Sequence, residues 1–122
     1  KEPKESVSAA CNILESVCKI YITDEGLQMP AKQDLQSVWK VVKDSLGMNP
    51  QVIEDNDLRR ILTGLFSIVD GIGAFRTHAS TAHGAGRKSY KVLPRHARLA
   101  INSAHTLVLY ILESWDERKK KE

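Results

Sequence analysis

Arg76 and His83, two side chains that could act together on a phosphate group, lie in a stretch of mostly small and polar residues. Six residues separate them. Arginine carries a permanent positive charge, and its forked N–H donors suit phosphate oxygens. Histidine exchanges a proton near neutral pH. On a continuous helix a step of seven residues is nearly two turns, which would place both side chains on one face about 10 Å apart. The pair therefore indicates a site that binds a charged group and moves a proton.

The residues between and after the pair predict that a helix ends there. Ser80–Thr81 are weak helix formers, and Gly84 and Gly86 favour a helix exit. We therefore expect Arg76 on the last helical turn and His83 on the turn that follows. That arrangement can direct both side chains towards one ligand, and it predicts that substituting either residue leaves folding intact. From the residues alone, a helix-end arginine and a loop histidine without a special role are the alternative interpretation.

A second basic segment begins at Pro94, which fits the first turn of another helix. Positive charge on a first turn opposes the helix dipole, and Leu93 has no side chain that could cap the free N–H groups. Such a helix start predicts a phosphate-binding site. The alternative is that these basic side chains are simply exposed to solvent. The expected substrate-binding residues in this segment and in the loop before it are Arg87, Lys88, Arg95, His96 and Arg98.

These segments resemble the abortive-infection C-terminal domain family, a HEPN-like group in bacterial phage defence. Arg76-x6-His83 resembles the signature of HEPN ribonuclease domains. The closer resemblance lies in Leu58–Gly86 and in the segment that begins Pro94-Arg-His-Ala-Arg, and it extends over nearly the whole chain. It implies an all-α fold, a HEPN-like bundle of four main helices. The residue after the motif arginine is usually Asn, Asp or His in the family, and here it is Thr77.

The resemblance also implies a function, that of a metal-independent endoribonuclease acting as a toxin or effector in phage defence. His83 would be the general acid or base, and Arg76 would stabilise charge on the phosphoryl oxygens. The products would carry 2′,3′-cyclic phosphate and 5′-OH ends. HEPN domains work as dimers with facing motifs, so the expected partners are RNA and a second copy of the chain. We expect no cofactor and no metal.

Two other functions fit the same residues. The first is a non-catalytic RNA-binding or regulatory HEPN-like module, which Thr77 favours. The second is a dimerisation domain that serves an N-terminal part absent from this chain, which the apolar last helix favours. If the motifs of a dimer line one basic cleft, the endoribonuclease and the RNA-binding module both remain open. If the motifs point apart, only the dimerisation domain does.

Composition sets the remaining limits. A chain of 122 residues with 42% hydrophobic and 27% charged residues is typical of one globular domain, here residues 1–122. The net charge of +3 is compatible with RNA binding. No apolar run approaches the roughly 20 residues of a membrane span, so we expect a cytoplasmic location. The chain starts at Lys1 without methionine, and the domain of the family that it resembles usually lies at a C-terminus, so we expect it to be the C-terminal part of a longer protein.

Hydrophobic periodicity predicts the four helices. They are expected at residues 6–22, at 32–46, from 55 or 56 to the motif, and from 94 to about 116, with a frayed tail after the last. The last helix is apolar nearly all round, which indicates a central helix or one shared with a partner. Gly64, Gly71 and Gly73 in the third helix indicate close helix–helix approach or local weakness. His78 is expected to be a spectator and His105 a core histidine.

Overall fold

The computed structural model describes residues 2–81 and 91–122, which form four α-helices and one short 3₁₀-helix. The predicted all-α class and the bundle of four main helices are confirmed. The helices are α1 (Pro3–Asp24), α2 (Leu35–Ser45), α3 (Asn56–Thr81) and α4 (Pro94–Lys121), and the 3₁₀-helix is Pro50–Val52.

Local residues explain where these helices begin. Pro3, and not Ser6, opens α1, since proline at the first helical position has no N–H to satisfy. Asp34 caps α2, because its Oδ1 accepts a hydrogen bond from the backbone N–H of Ser37 at 3.0 Å. Asp55 caps α3 in the same way, with the N–H of Leu58 2.8 Å from its Oδ1.

The ends of two helices differ from the prediction. α3 continues to Thr81, more than one turn beyond Arg76, so the prediction that Arg76 occupies the last turn is wrong. α4 continues to Lys121, so the tail expected to fray is helical. Arg118 helps to explain the second difference, since its Nη1 donates to the carbonyl of Ser45 at 2.9 Å and its Nε lies 3.3 Å from Oε1 of Glu25.

The core lies along α1, whose inner face packs against the other three helices. Tyr21 is fully buried, and its ring meets Trp115 of α4 edge to face with the centroids 5.0 Å apart. The Tyr21 hydroxyl lies within hydrogen-bond distance, 2.8 Å, of Oγ of Ser45 on α2. Cys11 and Cys18 are free and buried on the same face of α1. α1 is therefore the rigid element to which the rest of the bundle is fixed.

α3 and α4 run antiparallel and leave an apolar surface exposed along their junction. A groove of about 320 Å³ lies between the start of α3 and the end of α4, and another of about 310 Å³ lies between the end of α3 and the start of α4. We call this surface the α3/α4 face, and its most exposed large residues are Leu58, Ile61, Ile68, Leu99 and Leu109. α4 is thus buried on one side only.

Candidate functional site

Arg76 projects from α3 onto α1. Its Nη1 donates to Oδ1 of Asn12 at 2.9 Å, and its Nη2 donates to Oε2 of Glu15 at 2.8 Å. Asn12 and Glu15 are three positions apart on α1, so both side chains leave the same face of that helix. The Arg76 side chain is 26% exposed and that of Glu15 is 13% exposed. The motif arginine is therefore partly buried and fixed, with an edge that solvent still reaches.

Several groups determine the electrostatics at Arg76. Partial burial opposes its charge, but the hydrogen bond that Arg76 donates to Glu15, together with the negative charges of Glu15 and Asp34, raises the pKa of the guanidinium above its ordinary value. Arg76 is thus a cation at every accessible pH. It can bind an anion or stabilise developing negative charge, but it cannot transfer a proton.

The start of α2 comes close to α3 beside this arginine. Gly73 lies one turn before Arg76, and a Cβ atom at that position would be only 2.7 Å from Nε2 of Gln36. A side chain at position 73 would therefore displace the end of the flexible Gln36 side chain, and the predicted close approach of two helices stays a prediction. Because Asp34 caps α2 near the same point, three helices (α1, α2 and α3) define the surroundings of Arg76.

Thr77, the departure from the family pattern, uses its hydroxyl within α3. Its Oγ1 donates to the carbonyl of Gly73 at 3.0 Å. The side chain itself is exposed. A threonine that bonds to its own helix is common and needs no functional explanation. His78 follows it and is exposed on α3.

The basic residues at the start of α4 are exposed, and the helix start has fewer free N–H groups than predicted. Arg95, His96 and Arg98 all lie on the surface. The backbone N–H groups of His96 and Ala97 both donate to the carbonyl of Leu93 at 3.0 Å, so they are not free for a phosphate. The predicted phosphate-binding site would therefore depend on the basic side chains more than on the N–H groups of the helix terminus.

His96 takes part in a different feature, the groove between the end of α3 and the start of α4. It lines that groove together with Phe75, which precedes Arg76, and with Leu99. Adjacent residues of α3 thus point in different directions. Phe75 faces the α3/α4 groove, whereas Arg76 faces α1.

Three predicted site residues, His83, Arg87 and Lys88, lie outside the described residues, as do Gly84 and Gly86. Their roles stay predictions. The prediction for His105 is wrong: this histidine is exposed, and it borders a groove between α1 and α4 with Ile13 and Ile101.

Asn12 and Glu15 are the site residues that sequence reasoning missed. They are polar positions beside the buried Cys11 and Leu14, a pattern that any amphipathic helix shows. Nothing near them in the sequence points to Arg76, which is 61 positions after Glu15. Only the packing of α3 on α1 brings them together.

The described residues contain neither a metal-binding cluster nor a membrane-spanning helix. Among residues 2–81 and 91–122, no group of three His, Cys, Asp or Glu side chains could hold a metal ion. In the same part of the chain no helix has the length and apolar character needed to span a membrane.

Comparison with known protein families identifies the family of this chain. The family model described as a HEPN-like domain, that of the abortive-infection C-terminal family, matches residues 1–115. No curated protein and no solved structure shows significant similarity to the chain. The family match covers both the motif arginine and the contacts that α1 makes with it.

Proposed function

The chain belongs to the HEPN-like domain family, and from that membership we propose that it is a metal-independent endoribonuclease with Arg76 and His83 in its active site. The observation that carries the proposal is the state of Arg76. Its guanidinium is fixed by two hydrogen bonds, partly buried and still open to solvent on one side. A preorganised cation of this kind is what stabilises charge that develops on a phosphoryl group.

The proposed reaction uses the 2′-hydroxyl of RNA as the nucleophile. A base removes its proton, the oxygen attacks the adjacent phosphorus, and the 5′-oxygen of the next nucleotide leaves with a proton from an acid. His83 supplies the acid or the base, since imidazole titrates near neutral pH. Arg76 stabilises the negative charge on the non-bridging oxygens. The products are a 2′,3′-cyclic phosphate and a 5′-hydroxyl.

A second copy of the chain completes this site in the proposal. One chain offers a single motif histidine, and two facing motifs offer both an acid and a base. The α3/α4 face supports a homodimer, because it exposes large apolar residues on both helices, including Ile61 and Leu99, which are 62% and 66% exposed. Exposed apolar surface of that kind is typical of a protein–protein interface. In a symmetric pair each copy would present this face to the other.

The cellular role that follows is that of an effector in abortive infection, where cleavage of RNA stops growth of an infected cell. A non-catalytic RNA-binding module is the second candidate function. The observation that favours it is Thr77, whose hydroxyl bonds to its own helix where the family pattern has Asn, Asp or His.

Incubation of the purified protein with end-labelled total RNA tests the proposal. The wild type should cut RNA, and His83→Ala should lower the rate by roughly 10²–10⁴-fold, as loss of a general acid or base does. His78→Ala is the matched control, because it removes an exposed imidazole two positions after Arg76, and it should stay within a few-fold of wild type.

Two other outcomes would change the assignment. A wild type that binds RNA and leaves it intact would support the non-catalytic module. Loss of cleavage in His78→Ala but not in His83→Ala would mean that the wrong histidine was assigned.

A further inference from the structure

We propose that Glu15 and Asn12 are positioning residues, which orient the guanidinium of Arg76 so that its other N–H groups face a substrate phosphate. The inference rests on the proposed function, because it assigns a task to residues that support the same site. Neither residue carries a proton to or from the substrate. They act through Arg76 alone.

The geometry of the two hydrogen bonds is the first argument. Asn12 binds Nη1 and Glu15 binds Nη2, so each terminal nitrogen of the guanidinium has its own acceptor. Two separate acceptors fix both the plane and the rotation of the group, whereas one acceptor would let it pivot. Arginine has five N–H donors, and these bonds use two of them. The 26% exposure of the side chain leaves the guanidinium accessible to an anion.

The rigidity of α1 is the second argument. Asn12 and Glu15 alternate with Cys11 and Leu14, which are fully buried in the core. Their backbone is therefore held by the best-packed helix of the bundle. A catalytic side chain is positioned most precisely when its supporting groups lie on such an element. α1 thus fixes the charged end of an arginine that is carried by another helix, α3.

Charge is the third argument. It distinguishes a positioning role for Glu15 from a blocking role, in which the carboxylate would only keep phosphate away from Arg76. The Glu15 carboxylate repels a phosphate while it holds the arginine. Glu15→Gln removes that repulsion and weakens the hold, because an amide makes a weaker hydrogen bond to arginine than a carboxylate does. A positioning role predicts that this variant binds RNA at least as well as wild type and cuts it more slowly. A blocking role predicts that both binding and cleavage improve.

The experiment is a double-mutant cycle with Glu15→Gln, Arg76→Lys and the double variant. Cleavage is measured in single turnover at saturating RNA, and affinity is measured with uncleavable 2′-O-methyl RNA of the same sequence. Glu15→Gln should lower the cleavage rate by up to roughly 100-fold without weakening affinity. In the Arg76→Lys background, where no forked group remains to be oriented, the same change should alter the rate by less than about twofold. Glu5→Gln, which removes the same charge from an exposed position of α1, should leave both quantities unchanged.

Equal loss of rate from Glu15→Gln in both backgrounds would overturn the inference, since the residue would then act through the fold. A gain in both affinity and rate would also overturn it. A readout that does not need cleavage separates this inference from the proposed function. The Arg76 guanidinium NMR signals should show hindered rotation in wild type and in Glu5→Gln, and clearly faster rotation in Glu15→Gln. If the wild type cuts no RNA, the proposed function fails, and these signals still decide whether Glu15 holds Arg76.

Discussion

Arg76 donates from Nη2 to Oε2 of Glu15 over 2.8 Å, and this ion pair joins α3 to a residue 61 positions earlier on α1. The motif arginine therefore has a structural partner as well as a proposed substrate. A substitution at Arg76 changes the packing of α3 on α1 in addition to any chemistry. Experiments on the site need variants that separate these two effects.

The first prediction concerns stability. Arg76→Ala should lower the free energy of unfolding by about 1–3 kcal/mol, because it leaves the Glu15 carboxylate, only 13% exposed, without its partner. Arg95→Ala, at an exposed position of α4, should change it by no more than about 0.5 kcal/mol. Urea denaturation followed by circular dichroism measures both. Equal stability of the two variants would mean that the ion pair contributes nothing to the fold.

This expected loss of stability differs from the prediction made from the sequence, that substituting Arg76 leaves folding intact. The difference has a physical reason. Weak helix formers at Ser80–Thr81 predict a helix end near Arg76, and a residue at a helix exit has few tertiary contacts. α3 runs on to Thr81, so Arg76 stands on a regular turn that packs on α1. Helix propensity indicates the end of a helix only to within a few residues, and it does not show which side chains before that end contact another helix.

The fold itself was predictable because the apolar periodicity is strong. Apolar residues of α1 repeat at helical spacing, and all of them are buried in the core of the bundle: Val7, Cys11, Leu14 and Cys18. Such a repeat determines which face packs, but it does not determine which distant polar group meets which. For that reason Asn12 and Glu15 could not be assigned to the site from sequence.

The second prediction tests the α3/α4 face. Wild type should sediment as a dimer at micromolar concentration. Ile61→Asp should raise the dissociation constant by roughly 100-fold or more, since it would bury an unpaired charge, and its symmetry mate, in the interface. Val52→Asp is the matched control, because Val52 is similarly exposed at 65% but lies on the 3₁₀-helix and not on α4 or the exposed side of α3. A monomeric wild type, or an equal effect of the two variants, would contradict this interface.

The third prediction uses two glycines of α3. Ile61, Gly64, Ile68 and Gly71 follow helical spacing and form one exposed stripe. Among the described residues, no heavy atom would lie within 4 Å of a Cβ at Gly64 or Gly71, apart from the neighbouring residues and the backbone of the same helix. Alanine at either position should therefore raise the stability of the monomer, by up to about 1 kcal/mol, through better helix propensity.

The same substitutions should weaken the dimer if a second copy packs closely on this stripe. Thr63→Ala, exposed on another side of α3, should leave the dimer unchanged. Thermal denaturation and sedimentation of the three variants measure the two effects. If Gly64→Ala and Gly71→Ala leave the dissociation constant of the dimer unchanged, the stripe lies outside the interface.

The fourth prediction concerns the two thiols of α1. Burial raises the pKa of Cys11 from 9.0 to about 11 and that of Cys18 from 9.0 to about 12. Both are therefore neutral thiols at physiological pH and poor nucleophiles. Ellman's reagent at pH 8 should not react with the folded protein and should react with two thiols after unfolding.

The sign of the pH dependence follows from the raised values. The unfolded state loses these protons near pH 9, whereas the folded state keeps them to pH 11 or 12. The stabilisation from the buried thiols is complete below pH 9 and is lost as the pH rises through that window. Cys11→Ala should show a shallower loss of stability over the same range. An identical slope in the variant would mean that Cys11 is not protected by burial.

The fifth prediction concerns the chemistry of cleavage. With the 2′-hydroxyl as nucleophile and no metal in the proposed mechanism, activity should persist in excess EDTA. DNA should be inert, and so should RNA with 2′-deoxyribose at the cleaved position. The 5′ fragment should end in a 2′,3′-cyclic phosphate or its hydrolysis product, and the 3′ fragment should begin with a 5′-hydroxyl. An imidazole with a reference pKa of about 6.5 should place the pH optimum within one or two units of neutrality. End-group analysis by mass spectrometry decides the matter, because magnesium-dependent cleavage that leaves a 5′-phosphate would mean that water, and not the 2′-hydroxyl, attacks the phosphorus.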